Sequence, residues 1–379
     1  MRSPAERPTT ERPRPAGETK RLKPTLKSLR CVLTPWLALF FSITFLAACS
    51  EPLYKQQGHV FGTLAEVSIY GVEDSKAKDA ADEILREFER LQQLLNGRKP
   101  GELSSLNAAL ARQGPAKLSP EMAGIIRETS ALSEKSGGRF NPAIDKLIAL
   151  WHFNAVESTP AIPAAAAIAA LVKTSPRMAD ITVNGDSVSS NNPAAQFDFD
   201  GYTKGHALDR ARALLKARGI RNALVNIGGN ILALGEHGTR PWKVGIQHPR
   251  REGPIATIEL YDGETIATAG DYQRYFERDG KRYCDVIDPA TGYPAQGVEA
   301  ATVLTKPGEQ MGALAEAASR ALFVSGATGW RATAKRMGVD MAMLVDEKGE
   351  VTITAPLARR IEFKLPKPVV REVPYGEFR

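Results

Sequence analysis

Residues 197–209 read Phe197-Asp198-Phe199-Asp200-Gly201-Tyr202-Thr203-Lys204-Gly205-His206-Ala207-Leu208-Asp209, and residues 222–230 read Asn222-Ala223-Leu224-Val225-Asn226-Ile227-Gly228-Gly229-Asn230. The first run sets two carboxylates, two glycines and a lysine at the mouth of a helix. That helix is predicted from His206 to Arg218, because Leu208, Ala211 and Leu215 share a face and Gly219 can serve as C-cap. The second run is a short apolar strand ending in a Gly-Gly turn. A glycine-containing loop lets backbone N–H groups approach an anion, and a helix N-terminus favours negative charge. Lys204 adds a cation suited to phosphate. Asp198 or Asp200 could hold a metal, a ribose hydroxyl or a base edge. A strand–turn–helix with solvated charges uses the same residues, and a Gly-Lys pair alone does not decide between the two. The Walker phosphate loop is excluded, since no Ser or Thr follows Lys204-Gly205.

Upstream of this stretch, Val60 to Tyr70 reads as a strand, and Ser75 to Leu95 as an amphipathic helix with Ile84, Phe88, Leu91 and Leu95 on one face. Ser119 before Pro120 and Glu121 is a helix start. A short helix is predicted from Ala164 to Lys173. Downstream the composition turns to strands: Trp242 to Gln247, Ile255 to Leu260 and Thr265 to Thr268. Tyr272 to Glu277 and Arg282 to Ile287 flank Asp279-Gly280, a hairpin signal. Glu309 to Val324 is an Ala-rich helix. Met341 to Val345 and Val351 to Thr354 form a last hairpin. Residues 356–379 read as a basic tail without a period.

The 379 residues allow two domains or one large one. The net charge of +7 is concentrated at the front, where residues 1–30 carry nine basic and three acidic side chains. The nearly neutral remainder argues against nucleic acid as partner, because phosphate contacts need a dense basic surface. Residues 31–48 carry no charge and end Leu46-Ala47-Ala48, followed by Cys49. A basic region, an apolar run and small residues before a cleavage point make a secretory signal. The ending resembles a bacterial lipobox, in which Cys49 is lipidated and anchors the chain to the membrane. The 18-residue run, with Pro35 inside it, is marginally long for a transmembrane anchor. Residues 49–59 then read as a tether. With Cys31 in the signal and Cys49 lipidated, Cys284 has no disulfide partner. The five histidines are scattered and give no metal constellation.

Five loops share glycine, a carboxylate or amide, and often an aromatic: Gly137–Pro142, Asp198–Gly205, Asn226–Asn230, Ala269–Tyr272 and Asp288–Pro294. Falling at element ends, they look like walls of one cleft. Here the chain resembles the ApbE-type FAD:protein FMN transferases. Asn222–Gly235, Trp242–Arg250, Ile266–Phe276 and Arg282–Pro294 carry the likeness, which extends from Phe61-Gly62-Thr63 to about Gly326. The resemblance implies an α+β fold over residues 60–355, with mixed and antiparallel sheets, flanking helices, two subdomains and a central cleft. It implies FAD and Mg²⁺ as ligands, and transfer of FMN to a Thr or Ser of a partner redox protein, leaving AMP. Arg139, Phe140 and Asn141 would line the FAD site. Asp198 and Lys204 would contact the nucleotide, the Gly201 carbonyl would face the metal, and Ile287 would lie against the cofactor. A cell-envelope lipoprotein on the periplasmic side fits the lipobox.

The departures are as specific. Aligned on Ala321-Leu322-Phe323, the metal-binding helix motif has Glu316 where the family has Asp and Arg320 where it has Thr. Glu316 still offers carboxylate oxygen to a hard cation. A guanidinium at 320 would repel Mg²⁺ or pair with the pyrophosphate directly. Asp285 stands where the family's candidate base is His, and Gly97 or Arg98 where it carries an aromatic. Two rival functions follow: a flavin-binding lipoprotein without catalysis, and an FAD pyrophosphatase releasing FMN and AMP.

Overall fold

A nine-stranded sheet organises the molecule, in the order β1 (Leu53–Val60), β2 (Thr63–Tyr70), β6 (Asn222–Ile227), β7 (Asn230–Leu234), β10 (Thr265–Gly270), β13 (Val298–Thr305), β14 (Met341–Asp346), β15 (Val351–Thr354) and β17 (Val370–Val373). Neighbouring strands are antiparallel except β15 and β17, which run parallel. The computed structural model describes residues 53–153 and 161–374. Three smaller sheets complete it: β8 (Trp242–Gln247) and β9 (Pro254–Leu260) with β16 (Ile361–Phe363); β3 (Ala116–Lys117), β5 (Ser187–Ser190) and β4 (Ile181–Asn184); and the hairpin of β11 (Tyr275–Arg278) and β12 (Lys281–Cys284).

Period-two alternation sends alternate residues of the central strands to two cores. Ile266, Ala300, Met341, Met343 and Val345 face β8 and β9, packing on Trp242, Val244, Ile246 and Ile258. Ala267, Ala269, Ala301, Ala342 and Leu344 face the helical side. The small residues there match the Ala-rich face of helix α7 (Met311–Met337), whose Ala313, Ala315, Ala317, Ala318 and Ala321 are fully buried. On β2 and β6, Ala65, Val67, Ile69, Ala223, Val225 and Ile227 receive helices α1 (Asp74–Leu94) and α6 (Asp200–Ala217). The remaining helices are α2 (Glu102–Ala111), α3 (Pro120–Ser136), α4 (Asp145–Leu150), α5 (Ala165–Thr174) and the short α8 (Ala355–Ala358). The expected α+β architecture with antiparallel sheets and flanking helices is present. Its two parts are cores on opposite faces of one shared sheet, and the described residues form one contact unit.

Helices α6 and α7 cross at two glycines. A Cβ on Gly205 would sit 2.2 Å from the Gly312 carbonyl oxygen, so the crossing requires bare backbone on both sides. Asp209 of α6 locks it: its carboxylate accepts the N–H groups of Gly312 at 3.0 Å and Ala313 at 2.9 Å. These are N-terminal amides of α7, whose own N-cap Gln310 supplies no side-chain bond.

Several sequence expectations are corrected. Val60–Tyr70 is not one strand; Phe61 and Gly62, at φ 52° and 71°, reverse the chain between β1 and β2. Residues 53–59 are therefore an edge strand rather than tether; their polar side chains hide the alternation. Helix α6 begins at Asp200 instead of His206, and α7 continues past Val324 to Met337 across a kink at Gly326. The tail expected from residue 356 contributes β16 and β17. The signal segment and Cys49 lie outside the described residues. Among those described, no helix is long and apolar enough to cross a membrane.

Candidate active site

A cleft of about 630 Å³ opens where α6 begins, beside α7 and the ends of β6 and β10. Asp198, Asp200, Thr203 and Lys204 enter it from the start of α6. Glu316, Ser319 and Arg320 enter from α7, where the i, i+3, i+4 spacing places them on one face. Asp285 and Val286 follow β12, Arg98 and Lys99 follow α1, and Phe61, Gly228, Tyr272 and Arg274 come from turns.

Each carboxylate lining the cleft has a cation of the cleft as its partner. Arg98 lies 2.9 Å from Asp145 and 3.4 Å from Asp198. Arg274 lies 3.4 Å from Asp200. Lys204 stands 3.5 Å from Glu316, and Arg320 stands 3.6 Å from Asp285. The other Glu316 oxygen accepts the Gly205 N–H at 2.6 Å. Asp198 also starts the helix, accepting the Asp200 N–H at 2.9 Å.

Burial raises the Asp198 carboxyl to about 8, with further push from Asp200 and Asp145; its bond from Asp200 and the Arg98 charge oppose this only in part. Burial likewise raises Asp145 against the pull of Arg98. For Arg320 burial acts to lower the pKa, but Asp285, Glu316, Asp200 and Asp198 outweigh it and hold the guanidinium charged. Outside the cleft, burial lifts the Cys284 thiol to about 12, so this free cysteine is inert.

Five of the residues singled out from sequence meet here: Asp198, Lys204, Asp285, Glu316 and Arg320. Gly201 lies behind them, against the Arg320 side chain. Three of the five loops form walls, through Asp198–Lys204, Gly228 and Ala269–Tyr272; Gly137–Pro142 and Asp288–Pro294 do not. Arg139 is exposed elsewhere. Phe140 is buried in the core under α7. Asn141 is spent on the backbone, donating to the Pro176 carbonyl at 2.8 Å and accepting the Ala143 N–H at 3.1 Å. Ile287 packs with Ile144, Leu147, Trp151 and Ile168, and the turn after it accepts the Trp151 indole N–H at Gly292. None of these four lines the cleft. Arg98, Asp145, Arg274 and Ser319 were missed as partners. Ser319 was readable from its spacing to Glu316; the others come from separate segments with no local signal.

The expected metal set of Gly201, Glu316 and Arg320 does not fit a divalent cation. Magnesium needs several oxygens in near-octahedral order. Glu316 has a single oxygen without a hydrogen bond, Oε1, and Lys204 already faces it. Arg320 has no lone pair to give. Among the described residues, no three His, Cys, Asp or Glu side chains come together as a metal cage.

Comparison with known proteins places this geometry. The family model described as ApbE family matches residues 61–344. A protein of Rhodobacter capsulatus named FAD:protein FMN transferase is 39% identical over 82% of the chain; the match spans 59% of that relative's length. The structure of the ApbE protein from Thermotoga maritima superposes with a TM-score of 0.75 at 27% identity, covering 82% of this chain and 99% of the other. The apo flavinyl transferase ApbE from Pseudomonas stutzeri gives 0.70 at 26% identity, covering 82% and 97%.

Proposed function

The chain belongs to the ApbE family, and from that premise we propose that it transfers FMN from FAD to a Thr or Ser hydroxyl of a partner redox protein, releasing AMP. The observation that carries the reading is the meeting of Lys204 and Arg320 with Asp285 in one cleft, on the fold of proteins named for this activity.

In this reading the FAD diphosphate lies along α6 and α7, and the acceptor hydroxyl approaches from the Asp285 side. The hydroxyl oxygen attacks the phosphorus on the flavin side. A new P–O bond forms as the bridging P–O bond breaks, and AMP leaves with the electron pair. Asp285 takes the hydroxyl proton. Catalysis of phosphoryl transfer is chiefly positioning and charge stabilisation, so cations held before the substrate arrives are what the site must supply. Lys204 and Arg320 answer that need.

The sequence of residues 31–49 supports a location at the cell envelope, with Cys49 lipidated and the folded body on the periplasmic side. A second reading, flavin binding without chemistry, is favoured by the Arg320–Asp285 pair, since the carboxylate that would take the proton already faces a guanidinium 3.6 Å away. Purified protein mixed with FAD and an acceptor domain separates them. Covalent FMN on the acceptor supports transfer. Free FMN with AMP means hydrolysis by water. Unchanged FAD that binds saturably means a carrier.

A further inference from the structure

The two longest ion pairs in the cleft are those of Arg320 and Lys204. Arg320 is 3.6 Å from Asp285 and Lys204 is 3.5 Å from Glu316, whereas Arg98 approaches Asp145 to 2.9 Å. At 3.6 Å the guanidinium is outside hydrogen-bond distance of that carboxylate. A planar fork with five N–H donors, held charged, thus faces the cleft with weak hold on its protein partner.

The path of the Arg320 arm is built into the neighbouring helix. Gly201 is in helical backbone, so its lack of a side chain answers no conformational demand. It answers a steric one: a Cβ there would lie 2.6 Å from Arg320 Cδ and 2.9 Å from Nε. Glycine in a helix is unfavourable relative to alanine. Here that cost clears a channel for the guanidinium, at the position where the family resemblance implies a metal-facing carbonyl. A divalent ion finds the opposite conditions. Every carboxylate of the cleft is already answered by a protein cation, and a metal would have to displace one of them.

We infer that Arg320, with Lys204 beside it, supplies in place of a divalent cation the positive charge that receives the diphosphate of the dinucleotide. The inference rests on the FAD reading above and deepens it. Guanidinium and phosphate match in a two-pronged geometry, and the pair is stronger than the 3.6 Å contact it replaces. Docking of the diphosphate releases Asp285 from Arg320, so substrate binding frees the carboxylate that accepts the hydroxyl proton. In the empty site that carboxylate faces the guanidinium instead.

Calorimetric titration of the purified full chain with FAD, in EDTA and in magnesium, tests this. Riboflavin, which has no phosphate, serves as control. The expected result is an FAD affinity equal within twofold in the two buffers. Arg320→Thr should weaken FAD at least tenfold in EDTA and leave riboflavin unchanged; Arg320→Lys should fall between. Wild-type binding that weakens tenfold or more in EDTA overturns the inference and leaves the FAD reading standing. So does an Arg320→Thr variant that binds FAD as the wild type does. Absence of FAD binding in both buffers removes the FAD reading, and the inference with it.

Discussion

Gly205 meets Gly312 backbone to backbone, with the Gly312 carbonyl oxygen only 2.2 Å from where a Gly205 Cβ would be. This contact sets the distance between α6 and α7, and thereby brings Lys204 to Glu316. Gly205→Ala must push the helices apart. Overpacking of this kind costs about 3 kcal/mol. The variant should unfold at distinctly lower urea concentration, and its FAD affinity should fall even at temperatures where it stays folded. Unchanged midpoint and affinity would mean the crossing is more compliant than its geometry states.

Asp285 follows from the proposed chemistry. Asp285→Asn removes the proton acceptor and one partner of Arg320. Loss of general-base action lowers a rate by about 100-fold or more. Single-turnover formation of covalent flavin should drop by that order, while FAD binds no more weakly than before. An equal loss in both quantities would make Asp285 a binding residue only.

Asp198 gives a pH test. Its carboxyl holds a proton to about 8 when folded, because it is buried near Asp200 and Asp145. In the unfolded chain it releases that proton near about 3.9. Between these values the folded state binds more protons, so this residue's contribution makes stability fall as pH rises, and the fall is complete above 8. Asp198→Asn keeps the oxygen that accepts the Asp200 N–H and removes the titration. Urea unfolding should therefore show the variant gaining on the wild type between pH 5 and pH 8.5. Parallel pH curves for the two proteins would contradict the placement of this charge.

Much of the fold is legible because its signals are local. Asn222–Asn230 alternates and ends in Gly228-Gly229, and it forms the β6–β7 hairpin. Asp279-Gly280 closes β11 on β12 as its turn chemistry requires. The failures share a cause, since each depends on a distant partner. Gly201 and Gly205 read as loop glycines, yet both are helical, one clearing Arg320 and the other Gly312. Leu53–Val60 is polar on both faces by composition, and only pairing with β2 makes it a strand. At the site, Asp198, Lys204, Glu316, Arg320 and Asp285 sit in recognisable motifs and do converge. Phe140, Asn141 and Ile287 sit in motifs too, but packing and backbone bonds consume them, and Arg139 is exposed outside the cleft. The pairing of each carboxylate with a cation joins residues as far apart as Lys204 and Glu316, and no spacing rule reveals it.

A structure of crystals soaked with FAD tests the central claim most directly. The account predicts diphosphate oxygens within hydrogen-bond distance of Arg320 and Lys204, with the flavin-side phosphorus toward Asp285 and no metal between them. A cleft left vacant, or a diphosphate bound away from both cations, would contradict it.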